Sequence, residues 1–95
     1  MTADILIIDD AHEDIQSLHR ILSTAGYTVR ATRDGISGLR AAQHTVPDLV
    51  LLDIMLSDQD GFEVCRLFLT DERFAGVPVI FVSALQDVSL KAQAF

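Results

Sequence analysis

The feature that most constrains this chain is an uninterrupted apolar run, Leu49–Leu52, that ends on the carboxylate of Asp53. A short run without polar alternation is typical of a strand buried on both faces, as in a parallel sheet covered by helices. In such sheets, ligands and chemistry lie beyond the carboxyl ends of the strands. Asp53 is therefore a candidate functional residue, with the alternative that it only starts a turn by accepting nearby backbone N–H groups.

Three further runs predict strands, and amphipathic segments separate them. The strand-like runs are Asp4–Ile8, Tyr27–Ala31 and Val79–Val82, and the second alternates as a strand near a sheet edge does. Asp34 is the predicted N-cap of a helix that runs to about His44. The apolar positions that predict the inner faces of the helices are Ile15, Leu18, Leu22 and Ala25, then Ile36, Leu39 and Ala42, then Phe62, Cys65 and Leu69, and finally Val88, Ala92 and Phe95. Strands that alternate with helices over short connections predict a parallel sheet with helices on both faces and right-handed crossovers.

Length, charge and cysteine content exclude several classes of protein. A chain of 95 residues allows one domain, and its net charge of −7 argues against direct binding of nucleic acid. No apolar run approaches the roughly 18 residues of a membrane span, and no basic segment precedes the first apolar run as in a signal peptide. Cys65 is the single cysteine, which predicts a core thiol, no internal disulfide and a cytoplasmic location.

Polar side chains follow three of the predicted strands. They are Asp9 and Asp10, Asp53, and Ser83. If the first and third strands are neighbours, three like charges crowd together and raise one or more pKa values unless a cation lies among them. Carboxylate oxygens suit Mg²⁺, and a carboxylate beside Mg²⁺ can attack phosphorus and hold the group as an aspartyl phosphate. A hydroxyl such as that of Ser83 can then bond to the phosphate and act as a local switch.

Each of these side chains also has a purely structural interpretation. Asp10 begins the sequence Asp10-Ala11-His12-Glu13, which has the form of a capping box. Asp53 can start a turn, and Ser83 can cap the last helix. The interpretation as a site depends on the conjunction of the three strand ends.

Four motifs, in order along essentially the whole chain, resemble those of the receiver domains of two-component response regulators. They are Ile7–Asp10, Pro47–Met55, Asp60–Cys65 and Pro78–Ala84. The resemblance implies a flavodoxin-like (CheY-like) doubly wound parallel sheet of the α/β class. It also implies that residues 1–95 form a single receiver domain.

The resemblance further implies a role for each candidate residue. Asp53 would accept a phosphoryl group from a histidine kinase or phosphotransfer protein, and Ser83 would be the switch hydroxyl. Mg²⁺ would be held by Asp9, Asp10, Asp53 and the backbone carbonyl of Met55. The domain would control an output by changing conformation and would catalyse at most its own phosphorylation and dephosphorylation, so we do not expect an enzyme.

The sequence departs from the family pattern in two places. Ser57 stands where the family usually has proline, which predicts a more mobile loop. The family also continues into a fifth strand with an essential lysine and a fifth helix, whereas this sequence ends at Phe95, and its single lysine, Lys91, does not match that position. We therefore expect a receiver domain incomplete at its C-terminus, in which Val79–Val82 is an exposed strand edge that favours a homodimer or a domain-swapped assembly.

Two other functions are consistent with parts of the sequence. A receiver-shaped interaction module that never takes up phosphate is favoured by the missing lysine. A phosphatase-like hydrolase with Asp53 as nucleophile is disfavoured, because haloacid-dehalogenase-like enzymes have a second aspartate two positions on, where Met55 stands.

Overall fold

A computed structural model describes residues 2–54, 56 and 60–82 of the chain. In chain order the elements are β1 (Asp4–Ile8), α1 (His12–Thr24), β2 (Thr28–Thr32), α2 (Gly35–His44), β3 (Leu49–Asp53), α3 (Gly61–Thr70), a short 3₁₀ helix (Glu72–Phe74) and β4 (Val79–Val82). The predicted alternation of strands and helices is confirmed over these residues. The predicted last helix lies outside them.

The four described strands form one parallel sheet in the order β2-β1-β3-β4. The chain moves from β1 to β2 on one side and then returns across β1 to β3 on the other, so its direction reverses between β1 and β3. Because crossovers of this kind are right-handed, α1 lies on one face of the sheet and α2 and α3 lie on the other. The predicted doubly wound α/β fold is confirmed, and β2 lies at an edge as its alternating pattern predicted.

The main core lies between the sheet and the helices α2 and α3. Side chains of alternate strand residues contact the apolar faces of these helices, in keeping with the two-residue period of a strand. The fully buried members are Leu6, Ile8, Val50, Leu52, Ala42, Val64 and Phe68. Burial of each larger side chain stabilises the fold by roughly 1.5–3 kcal/mol, so this layer holds the central strands β1 and β3 in place.

The predicted inner face of α2 is wrong at one position. Ile36 is 52% exposed, whereas Gly35, Gly38 and Ala42 are buried. The helix lies close to the sheet through its small residues, and an added Cβ at Gly38 would collide with the side chain of Ile8. Close packing therefore decides the rotation of α2. Its N-terminus is as predicted.

The predicted inner face of α3 is wrong at two of its three positions. Phe62 and Leu69 are 49% and 69% exposed, and the buried face instead carries Val64 and Phe68. Cys65 is partly buried against the edge of the core, where burial raises the pKa of its thiol. The helix is apolar on more than one side, so its periodicity did not determine which side faces the sheet.

Candidate functional site

Three carboxylates meet at the carboxyl edge of the two central strands. Ile8 pairs with Leu52, so Asp9, which follows β1, and Asp53, the last residue of β3, lie side by side at the end of the sheet. One carboxylate oxygen from each of Asp9, Asp10 and Asp53 lies within 4.8 Å of the other two. The expected crowding of these side chains is therefore present, at the point where the direction of the chain reverses.

Asp9 is held in place by its own turn and by the neighbouring strand. It is only 2% exposed, its Oδ1 accepts a hydrogen bond from the Ala11 backbone N–H at 2.8 Å, and its backbone N–H donates to the Thr32 carbonyl at 3.0 Å. The N-cap residue of α1 is Ala11, whose side chain makes no capping hydrogen bond. The interpretation of Asp10 as the N-cap of α1 is therefore wrong, because the N-cap position is that of Ala11.

The electrostatics of the cluster are unfavourable to its full ionisation. Loss of water around the buried carboxylate is the main cause that raises the pKa of Asp9 from 3.8 to about 6. The bond from the Ala11 N–H acts in the opposite direction, and the charges of Asp53 and Asp14 add to the increase. A cation among these groups would stabilise their ionised forms.

The loop after β3 is anchored at both ends. The Gly61 N–H donates to the Ile54 carbonyl at 3.0 Å, and the side chain of Asp60 caps α3 by accepting from the Phe62 N–H at 3.0 Å. The start of α3 is thereby bonded directly to the end of β3. Asp53 is partly exposed at this junction.

The chemistry of the donor set fits a hard divalent cation. Carboxylate oxygens are the ligands that Mg²⁺ prefers, and the three donors within 4.8 Å of one another can hold one ion. Two other predicted site residues, Met55 and Ser83, lie outside the described residues, as do Ser57 and Lys91.

Two contributors to the site were not predicted from the sequence. The Thr32 carbonyl fixes the backbone of Asp9, and Gly61 contacts the end of β3. The contact between Thr32 and Asp9 could have been inferred only from the register in which β1 pairs with β2, and the sequence alone does not give that register. Gly61 was recognised only as the end of a loop.

The family model for the response regulator receiver domain matches residues 5–95. The chain belongs to this family. DivK of Brucella ovis, a polar-differentiation response regulator, is 33% identical over 84 residues that cover 88% of this chain and 68% of DivK.

Other relatives are longer than this chain. The DNA-binding dual master transcriptional regulator RpaA of Synechocystis sp. is 45% identical over 93 residues, which cover 96% of this chain and 38% of RpaA. The response regulator PleD of Caulobacter vibrioides is 36% identical over 85 residues, which cover 90% of this chain and 19% of PleD. The chain thus spans well under half the length of these two relatives.

Solved structures agree with the fold. The signal receiver domain of a signal transduction histidine kinase from Syntrophus aciditrophicus superposes with a TM-score of 0.80 at 28% identity, covering 99% of this chain and 74% of that one. The N-terminal domain of a response regulator receiver protein from Methanoculleus marisnigri gives a TM-score of 0.82 at 24% identity over 99% and 94% of the two chains. At that identity the second match supports the fold alone.

Membership of the family places this receiver domain in two-component phosphorelay signalling. Receiver domains are signalling domains and not conventional enzymes, they interact with histidine kinases or phosphotransfer proteins, and they typically bind Mg²⁺. Within the described residues, no helix is both long enough and apolar enough to cross a bilayer.

Proposed function

We propose that residues 1–95 form one receiver domain in which Asp53 accepts a phosphoryl group from a histidine kinase or phosphotransfer protein. The observation that carries this proposal is the meeting of Asp9, Asp10 and Asp53 within 4.8 Å at the edge of the central strands. Asp53 is more accessible to a phosphoryl donor than Asp9, because Asp53 is partly exposed whereas the Asp9 carboxylate is buried and bonded to the Ala11 N–H.

In the proposed reaction, a carboxylate oxygen of Asp53 attacks the phosphorus of the donor. A new O–P bond forms, the bond from phosphorus to the donor atom breaks, and its electron pair leaves with the donor. Water later hydrolyses the aspartyl phosphate, which restores the carboxylate and releases inorganic phosphate. The Ser83 hydroxyl is the proposed switch that bonds to the phosphoryl group.

The residues that would hold Mg²⁺ are Asp9, Asp10, Asp53 and the backbone carbonyl of Met55. When bound, the ion offsets negative charge on the phosphoryl oxygens. The protein's own contribution is orientation, because the Ala11 and Thr32 backbone groups fix Asp9 beside Asp53.

The proposal is tested by intact mass after incubation with acetyl phosphate and Mg²⁺. We expect the wild type to gain one phosphoryl group, and we expect Asp53→Asn to gain none. Asp71→Asn is the matched control, since Asp71 pairs with Arg73 on the surface away from the site and its loss should leave labelling unchanged. A folded wild type that gains no mass would instead favour the interaction module that works without phosphate.

The edge of β4 supports a further part of this proposal, self-association. Among the described strands β4 pairs only with β3, and Ile80 on it is 50% exposed. Unpaired strand edges are templates for pairing with another chain. We expect a dimer by size-exclusion chromatography with light scattering and a shift toward monomer in Ile80→Lys. A wild type that stays monomeric at all concentrations would contradict self-association.

A further inference from the structure

Gly61 makes the closest backbone approach to the acidic site. A Cβ placed on Gly61 would lie 2.5 Å from the carbonyl oxygens of both Asp53 and Ile54, and 2.7 Å from the Ile54 Cα. All three are backbone atoms, which cannot turn aside as a flexible side chain can. Any residue other than glycine must therefore push the end of β3 and the start of α3 apart.

Position 61 requires glycine because a Cβ has no space there, and not because the backbone adopts a conformation that only glycine favours. The glycines with positive φ in the described residues are Gly26 and Gly76, at 99° and 83°, and Gly61 is not among them. A side chain at Gly61 would thus be compatible with the local dihedral angles but not with the neighbouring carbonyl groups. The hydrogen bond from the Gly61 N–H to the Ile54 carbonyl, 3.0 Å long, depends on the same close contact.

We propose that Gly61 is a positioning residue for the acidic site, which holds the backbone of Asp53 at the depth where its carboxylate meets those of Asp9 and Asp10. The inference rests on the proposed function, since it concerns the same carboxylates. Residues that orient metal ligands without touching the metal typically change metal affinity by roughly 10–100-fold when replaced. Displacement of the Asp53 backbone is expected to act in the same way.

The test is a titration with Mg²⁺ alone, followed by ¹⁵N–¹H amide spectra that report folding and binding in the same sample. We expect Gly61→Ala to remain folded at low temperature and to bind Mg²⁺ roughly tenfold or more weakly than the wild type. Gly76→Ala is the matched control. Its φ of 83° disfavours alanine, but its Cβ would meet nothing within 4 Å and it precedes β4 at the opposite edge of the sheet, so it should lose stability without losing Mg²⁺ affinity.

A second measurement uses the wild type only and does not depend on the variant's folding. In the same titration, the amide signals of Gly61 and Asp53 should shift together with one dissociation constant. A folded Gly61→Ala with wild-type affinity, or a Gly61 amide that stays unchanged while Asp53 shifts, would overturn the inference. A wild type that binds no Mg²⁺ and takes up no phosphoryl group would overturn the proposed function itself.

Discussion

Asp9 shows how one residue sets the balance between stability and function in this domain. The fold buries its carboxylate almost completely and places two other carboxylates within 4.8 Å of it. Only the Ala11 N–H is positioned to favour its ionised form among the contacts described above. The three carboxylates could hold a cation, and their crowding lowers the stability of the cation-free protein.

We predict that Asp9→Asn stabilises the protein in the absence of divalent cations at neutral pH. Because the folded pKa of about 6 exceeds the ordinary 3.8, the contribution of Asp9 to stability is present below the ordinary value and is lost as the pH rises through the folded value. The loss is roughly 1–3 kcal/mol, and asparagine avoids it while keeping an oxygen for the Ala11 N–H.

The measurement is urea unfolding of both proteins in a chelator at about pH 4 and about pH 7. The variant should have a higher free energy of unfolding than the wild type only at the higher pH. Added Mg²⁺ should reduce this difference by stabilising the wild type. A variant that is less stable than the wild type at neutral pH would show that the carboxylate is not destabilising.

The candidate carboxylates were predictable from the sequence, because a charged residue after an unbroken apolar run marks a strand end. The role of each carboxylate was harder to predict. The capping-box pattern pointed to Asp10 as the cap of α1, yet the N-cap residue is Ala11, the helix begins at His12, and the Ala11 N–H donates to the side chain of Asp9. The backbone conformation determines which of these roles each aspartate has, and the sequence of two adjacent aspartates does not reveal that conformation.

Among the elements, the order of the strands and their bounds to within one residue followed from the apolar runs, but the rotation of two helices did not. The helix α3 carries apolar residues around most of its circumference, so more than one face fits the helical period. The structure buries Val64 and Phe68, spaced four residues apart, and leaves Phe62 and Leu69 largely exposed. Phe62 instead packs against Phe81, with ring centroids 5.0 Å apart.

We predict that Phe68→Ala destabilises the domain by about 3–5 kcal/mol, because it empties a fully buried site beside Phe74. The matched variant Leu69→Ala removes a side chain that is 69% exposed and should change the free energy of unfolding by less than about 0.5 kcal/mol. Equal costs of the two substitutions in urea unfolding would mean that α3 is rotated toward the face predicted from the sequence.

In the molecule as a whole, the carboxyl ends and the amino ends of the strands have different roles. The acidic site lies at the carboxyl ends of the strands, whereas Arg30 joins elements near the amino ends. Its guanidinium bonds the side chain of Asp4, with Nη2 to Oδ2 at 3.0 Å, and donates to the carbonyls of Ala41 and Thr45 at 3.0 and 2.8 Å. One side chain thus joins β1, β2 and the end of α2.

We predict that Arg30→Met destabilises the fold by roughly 1.5–3 kcal/mol, since it leaves Asp4 and two carbonyls without their charged donor. Mg²⁺ affinity should stay unchanged because the acidic site lies at the carboxyl ends of the strands. Arg66→Met is the control. The side chains of Arg66 and Glu63 are each about half exposed, so their ion pair should contribute less than about 1 kcal/mol to the free energy of unfolding. Urea unfolding and a Mg²⁺ titration of both variants check this, and a large loss of affinity in Arg30→Met would contradict the division of roles.

In the proposed function, the carboxylate of Asp53, and not that of Asp9 or Asp10, receives the phosphoryl group. The most direct test is to treat the protein with acetyl phosphate and Mg²⁺, reduce the acyl phosphate with borohydride, and locate the resulting homoserine by peptide mass. We predict homoserine at position 53 only, and none when Mg²⁺ is removed with a chelator. Homoserine in place of Asp9 or Asp10, or at no position in the folded protein, would contradict this role of Asp53.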